Sequence, residues 1–184
     1  MFTQFKVKAE AVGSEVHRFG TKAEALDFIE RFFKEEDIND APGSYALWAD
    51  SPILKGVDIK ALEKKIPGLK FEVTRQLAKE AKVCITQVDW GIANTGTVAQ
   101  DSTAVDQRLA AALPWIHIAL LSTDTIVADL PALMSRMHPS RNRYITLTTG
   151  PSRTADIERV LAIGVHGPER LVIVCIDEAG GKKS

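Results

Sequence analysis

The sequence predicts an α/β fold, a mostly parallel sheet with helices on both faces. Two observations predict it. Compact apolar runs of strand length recur along the chain, and stretches of helical period stand between them, which is the rhythm of crossover units over a parallel sheet. The 184 residues are enough for one well-buried core, so residues 1–184 read as a single domain. Residues 180–184, Gly180-Gly181-Lys182-Lys183-Ser184, have the composition of a frayed tail.

Residues 4–12 read as a weak helix stopped by Gly13, and 15–19 as an edge strand or linker. From Thr21 the signal is stronger. Thr21 and Glu24 form a capping-box pattern, and Ala25, Phe28, Ile29, Phe32 and Phe33 keep helical spacing to an end near Glu36. Pro42-Gly43-Ser44 is turn chemistry, and Tyr45-Ala46-Leu47-Trp48 suits a strand buried on both faces, ended by Ser51-Pro52. A helix over 58–65 closes at Pro67-Gly68, followed by a strand over 71–73, a helix over 74–81 and a strand over 83–87. Residues 89–98 break the alternation, since two apolar runs meet around glycines with no room for a helix. A hairpin or bent strand results. Helices over 104–113 and 129–137, with strands over 115–121, 144–148 and 171–176, complete the pattern.

Composition sets limits on function. Lysine and arginine number 23 against 24 acids, a net charge of −1, which offers no broad field for nucleic acid or an anionic membrane. Any anion site must be local. The longest apolar run, 115–121, is interrupted by His117 and falls far short of the roughly 20 residues of a membrane helix; a cytoplasmic location is expected. Cys84 and Cys175 each sit inside apolar runs and read as buried free thiols. There is no C-x-x-C, and the four histidines show no i, i+4 pairing, so no metal or cluster ligands are expected in this chain.

The richest segment is Thr148-Thr149-Gly150-Pro151-Ser152-Arg153-Thr154-Ala155-Asp156-Ile157-Glu158. An apolar run stops there and a hydroxyl-rich turn begins, as at a helix N-terminus that holds an anion: Gly150 allows close approach, while Ser152, Arg153, Thr154 and free N–H groups donate. A capped helix start accounts for Ser152 or Thr154 alone. It leaves Arg153 unexplained, because a cation there opposes the helix dipole unless an anion or a carboxylate such as Asp156 or Glu158 is near. Thr95-Gly96-Thr97 sets two hydroxyls around a glycine, which suits a ligand or a bulge equally. Asp89, Glu158 and His166 are the candidate acid–base residues, His166 lying between Gly164 and Gly167-Pro168. His117 reads as a satisfied core residue, and Trp48, Trp90 and Trp115 as core. His138 with Arg141-Asn142-Arg143 reads as a solvated loop. Ligands of open α/β sheets sit beyond the carboxyl ends of strands, which singles out the loops after Trp48, Gln87, Leu121 and Thr148, the last being the best equipped.

Two signatures, Gly91-Ile92-Ala93-Asn94-Thr95-Gly96-Thr97 and the segment 149–158 with Gly164-Val165-His166-Gly167-Pro168, resemble the lactate utilization protein C family, or LUD domain. Ala9-Glu10-Ala11-Val12-Gly13-Ser14-Glu15-Val16-His17-Arg18 resembles that family's opening. The resemblance implies a fold similar to sugar-phosphate isomerases and coenzyme A transferases. It also implies a part in oxidising L-lactate to pyruvate beside partner proteins that carry iron–sulfur clusters. Asn94 departs from the acid that many relatives have before Thr-Gly-Thr, and an amide cannot serve as nucleophile or base, which disfavours transferase chemistry through that position. No G-x-G-x-G is present, which disfavours ATP-driven ligation. The expectation is a subunit that binds a small anion or nucleotide, its anion-binding residues being Thr95, Gly96, Thr97, Gly150, Ser152, Arg153 and Thr154, with no cofactor of its own. The rival is a stand-alone transferase, isomerase or ligase of the same fold, and a regulatory module with an empty pocket is a third reading.

Overall fold

The computed structural model describes residues 1–138, 140–155, 161–163 and 167–178. Its helices are α1 (Phe2–Ala11), α2 (Lys22–Glu35), α3 (Ile59–Lys65), α4 (Arg75–Lys79), α5 (Val105–Ala112) and α6 (Leu130–Met134). The strands are β1 (Glu15–Phe19), β2 (Tyr45–Trp48), β3 (Leu69–Lys70), β4 (Ala81–Gln87), β5 (Trp90–Ile92), β6 (Thr97–Asp101), β7 (Ile116–Ser122), β8 (Ile126–Val127), β9 (Ile145–Thr148), β10 (Arg153–Ala155), β11 (Leu161–Ile163) and β12 (Arg170–Ile176).

Six strands form the main sheet in the order β1-β12-β7-β4-β2-β3, every neighbouring pair parallel. The apolar runs follow from burial on both faces. Ile116, Ile118 and Leu120 of β7 pack with Ala25, Ile29, Phe32 and Phe33 of α2, while Ala119 and Leu121 face the other way, onto Phe5 and Ala9 of α1. The Thr21–Glu24 capping box forms as the sequence predicts, with the Glu24 N–H donating to Thr21 Oγ1 at 3.2 Å and Glu24 Oε2 accepting from the Thr21 N–H at 3.1 Å. Asp58, Thr74 and Asp129 cap α3, α4 and α6 by side-chain acceptance alone, from the N–H groups of Ala61, Leu77 and Ala132. Cys84 and Cys175 are free and buried.

A second sheet, β8-β5-β6-β9, stands against the first. The hairpin expected over 89–98 is its centre, with β5 antiparallel to β6. Leu133 of α6 and Met137 beyond it cover one face through Ile92 and Ala99. On the other side Phe5 and Ala9 of α1 join Ala93, Val98 and Ile126 to Leu171, Ile173 and Cys175 of the main sheet. α1 therefore fills the seam between two sheets.

The helix lies so close that two glycines become obligatory. A Cβ at Gly96 (φ +70°) would sit 2.2 Å from the backbone N of Ala9, and one at Gly150 (φ +72°) 2.5 Å from the carbonyl oxygen of Val12. Both distances are far inside contact range, and both φ values disfavour any side chain.

Four local expectations are corrected. The strand placed over 71–73 is instead β3, because Gly68 O already accepts from Ala46 N (3.0 Å) and pairing starts there. Phe71 leaves the sheet to stack on Trp48 at 6.1 Å. The strand expected over 144–148 exists as β9 but pairs antiparallel with β6, since its half-exposed residues do not suit a strand covered on both faces. Trp115 is 58% exposed rather than core; its carbonyl accepts from Glu169 N and Arg170 N, so backbone rather than ring fixes it. Finally, no helix starts at Ser152 or Thr154. Arg153–Ala155 is β10, antiparallel to β11, and the Ser152 N–H is already spent on Pro168 O at 2.8 Å. Pairing on both sides overrides the local cap signal.

Gly96→Ala is expected to cost about 2–4 kcal/mol of unfolding free energy, read by urea denaturation. Gly43, also at positive φ (+87°) but with nothing within 4 Å of a built Cβ, is the control: Gly43→Ala should cost only the conformational term of about 1–2 kcal/mol. Equal losses would refute the packing account.

Candidate functional site

β2, β4 and β7 end side by side, and a cleft of about 810 Å³ opens beyond them. Asp50 and Pro52 come from the loop after β2, Gln87, Val88 and Asp89 from the end of β4, and Ser122 and Thr125 from the end of β7. The small sheet and the segment after α6 supply the opposite wall, with Trp90, Gln100, Asp101 and Arg136. Three of the four loops singled out from the sequence thus meet at one place. The fourth does not reach it.

The acids here are structural braces as well as lining. Asp89 Oδ2 accepts from the Asp101 N–H at 2.7 Å. Asp101 accepts from Thr103 N and Oγ1 (3.0 and 2.6 Å) through Oδ1, and from Asn142 Nδ2 (2.8 Å) through Oδ2. Gln87 Oε1 accepts from Ile53 N at 3.0 Å and so fixes the turn 52–54. Arg136 lies over the Trp90 ring at 5.8 Å, and Lys55 lines the rim. The lining mixes three carboxylates, Asp50, Asp89 and Asp101, with Lys55 and Arg136 among apolar side chains, so recognition of a ligand's negative charge falls to the Lys55 side of the cleft.

A buried polar chain runs inward from this cleft. Gln107 Nε2 donates to Asp50 O (2.9 Å), Gln100 Nε2 donates to Gln107 Oε1 (2.7 Å), Thr86 Oγ1 donates to Gln100 Oε1 at a long 3.4 Å, and Thr86 Oγ1 meets His117 Nε2 at 2.9 Å. Thr86, Gln100 and His117 are buried. Burial pushes the His117 imidazole down to about 4, because no carboxylate repays the cost of charging it there.

The predicted site residues divide. Asp89 is in the cleft. Gly150 and Ser152 line a second, smaller cavity of about 280 Å³. Thr95, Gly96, Thr97 and Arg153 line neither of the two. Thr95 Oγ1 and Thr97 Oγ1 are 2.7 Å apart, and Thr97 Oγ1 is 2.8 Å from Thr149 Oγ1, a hydroxyl ladder that joins the hairpin turn to the end of β9. Arg153 is exposed, and its Nη2 donates to Val12 O at 2.8 Å. Its charge therefore caps the C-terminal carbonyls of α1, where the dipole welcomes a cation. Thr154 is described by its backbone alone, paired with Ala162. Glu158 and His166, like Asp156 and the tail 180–184, lie outside the described residues. Asn94 is exposed at the hairpin turn, its N–H donating to Ala128 O. Lys55, Gln100, Gln107 and Arg136 are cleft residues that the sequence pattern does not single out. One signal was present: Thr86-Gln87 closes an otherwise apolar strand with polar side chains, as a strand does where it enters a site.

Known proteins supply context for this geometry. A family model of the LUD domain matches residues 2–176. The chain is 32% identical over 144 residues to lactate utilization protein C of Macrococcus caseolyticus, covering 74% of this chain and 62% of that protein. It is 33% identical over 107 residues to the protein of the same name from Halalkalibacterium halodurans, covering 55% and 46%. The chain spans about half to three fifths of these relatives. A crystal structure of a DUF162 family protein from Deinococcus radiodurans superposes with a TM-score of 0.63 at 18% identity, over 95% of each chain, which shows a shared fold.

Two outcomes test these assignments. Arg153→Ala should lower stability by less than about 1 kcal/mol and leave anion affinity unchanged in calorimetric titration; a lost anion site would return Arg153 to the binding role. The second concerns pH. Unfolded His117 takes up a proton near 6.5 and the folded residue only near 4, so its stabilising contribution is full above 6.5 and is lost as pH falls toward 4. Between pH 7 and pH 5 this residue should account for about 2 kcal/mol of lost stability, a slope that His117→Gln removes in paired urea titrations.

Proposed function

The chain belongs to the LUD domain family, and from that premise we propose that it acts in lactate utilization as a subunit whose cleft holds a small anion or a nucleotide. The observation that carries this reading is the cleft's position at the carboxyl ends of β2, β4 and β7, with Lys55 on its lining. Lactate and pyruvate present a carboxylate, and a nucleotide presents phosphates; either finds the Lys55 ammonium there and, in Gln100 and Gln107, amides held by the inner chain. Asp89, braced by the Asp101 N–H, supplies a fixed acceptor for a ligand hydroxyl. The naming of the relatives as lactate utilization protein C supports the pathway.

Electron transfer in this reading belongs to partner proteins with iron–sulfur clusters. Burial pushes both thiols, Cys84 and Cys175, up to about 12, so neither offers a thiolate at neutral pH. The cluster ligands then come from other chains. The protein works in the cytoplasm in this scheme, in keeping with the lack of any helix among the described residues that is long and apolar enough to cross a membrane.

Lactate oxidation with an artificial electron acceptor separates this proposal from a stand-alone enzyme. The purified chain alone should show no turnover, and turnover should appear when cluster-bearing partners are added. Oxidation by the isolated chain would overturn the subunit reading. Lys55→Ala should weaken binding of lactate, pyruvate or nucleotide about tenfold at low salt in calorimetry, with the unfolding midpoint unmoved.

A further inference from the structure

The smaller cavity shares no lining residue with the cleft. Its walls are Ala111 and Ala112 of α5, Pro151, Pro168 and Leu171, with Tyr144 and Arg108 beside them. Arg108 is held by donating to Ser102 O and Thr103 O (2.6 and 2.9 Å) and lies 5.0 Å over the Tyr144 ring. Thr146 Oγ1 donates to Ser102 Oγ at 2.8 Å. One lining group is left over. His117 is 1% exposed and its Nδ1 has no hydrogen-bond partner among the described residues, an arrangement that costs free energy unless something else fills it.

The polarity of the inner chain says what that something must be. A backbone carbonyl can only accept, so Gln107 turns its Nε2 to Asp50 O and its Oε1 to Gln100. Gln100 must then donate to Gln107 through Nε2, which leaves its Oε1 facing the Thr86 hydroxyl. Thr86 gives its proton to Gln100, and its oxygen accepts from Nε2–H of His117. A neutral imidazole protonated on Nε2 carries a bare lone pair on Nδ1. Burial keeps the ring neutral at physiological pH.

We infer that this cavity is a second binding site, which takes a small, compact apolar molecule bearing one hydroxyl or N–H donor directed at His117 Nδ1. The volume of about 280 Å³ suits a ligand of roughly one ring, at the small end of known pockets. The apolar walls take the body of the ligand, and the imidazole takes its single proton. This site stands apart from the cleft, so its fate leaves the lactate reading untouched.

Phenol and fluorobenzene, nearly equal in shape but only one with a donor, are the probes. Protein labelled with ¹⁵N-histidine distinguishes bare from protonated ring nitrogens in long-range ¹H–¹⁵N spectra. In the free protein His117 should show a protonated Nε2 and a bare Nδ1. Phenol should move the Nδ1 resonance toward the protonated position, saturably, with the Leu171 methyls shifting alongside. Fluorobenzene should leave Nδ1 where it was. A proton found on Nδ1 in the free protein, an Nδ1 unmoved by phenol, or an equal response to both probes would each overturn the assignment.

Discussion

The structure depends on how closely α1 can approach the small sheet. Its residues Phe5 and Ala9 are fully buried between Ala93, Val98 and Ile126 on one side and Leu171, Ile173 and Cys175 on the other, so the helix is the common core of both sheets. That contact is backbone against backbone at Gly96 and Gly150, where no larger residue fits. Arg153 then closes the helix end from a position 141 residues further along the chain, and the ladder Thr95–Thr97–Thr149 holds the hairpin turn against the end of β9. The described parts of the segments that carry the family resemblance, Gly96, Thr95, Thr97, Thr149, Gly150 and Arg153, thereby dock the first helix. The same properties serve both ends: a missing side chain, hydroxyls and a guanidinium meet a helix terminus as readily as they meet a phosphate.

The cleft follows from this docking. Val88 N donates to Leu120 O and Asp89 N to Ala99 O, so the chain leaves β4 and enters the second sheet within two residues. Where the small sheet stands thus decides the distance between the strand ends and the wall that carries Trp90, Asp101 and Arg136. The Asp89–Asp101 and Asp101–Asn142 bonds fix that wall further, and they engage Asp89, an acid–base candidate from the sequence.

Much of the fold was legible because its signals are local. The Thr21–Glu24 box, the helix starts near 58, 74 and 129, and the apolar runs of β2, β4, β7 and β12 all show within a few residues of sequence, and they lie within a residue or two of where the sequence puts them. The misreadings share a cause. Ser152 and Thr154 look like a helix start, yet the Ser152 N–H has a partner at Pro168 and Arg153–Ala155 pairs with Leu161–Ile163. Arg153 finds its partner at Val12. Phe71 answers to Trp48 across the sheet. The Ser152–Pro168, Arg153–Val12 and Phe71–Trp48 contacts span 16, 141 and 23 residues and leave no mark on a window of ten residues. The rule that ligands sit beyond strand ends located the cleft, but ranking loops by donor content favoured one where the Ser152 N–H and the Arg153 guanidinium already have internal partners.

The inner chain from Asp50 to His117 has a further consequence. A run of amides and hydroxyls between two cavities invites the idea that a ligand in one could reverse every donor and acceptor and so report itself in the other. Reversal would require the end group to change roles. Asp50 ends the chain with a carbonyl, which has no proton to give, so the reversed arrangement strands two acceptors against each other between Gln107 and Asp50. At that exposed end the mismatch costs the net worth of one hydrogen bond, roughly 0.5–1.5 kcal/mol, which biases the chain toward one polarity. The chain therefore acts as a bracket. It presents Gln100 and Gln107 to the cleft in the favoured orientation and favours the His117 proton on Nε2.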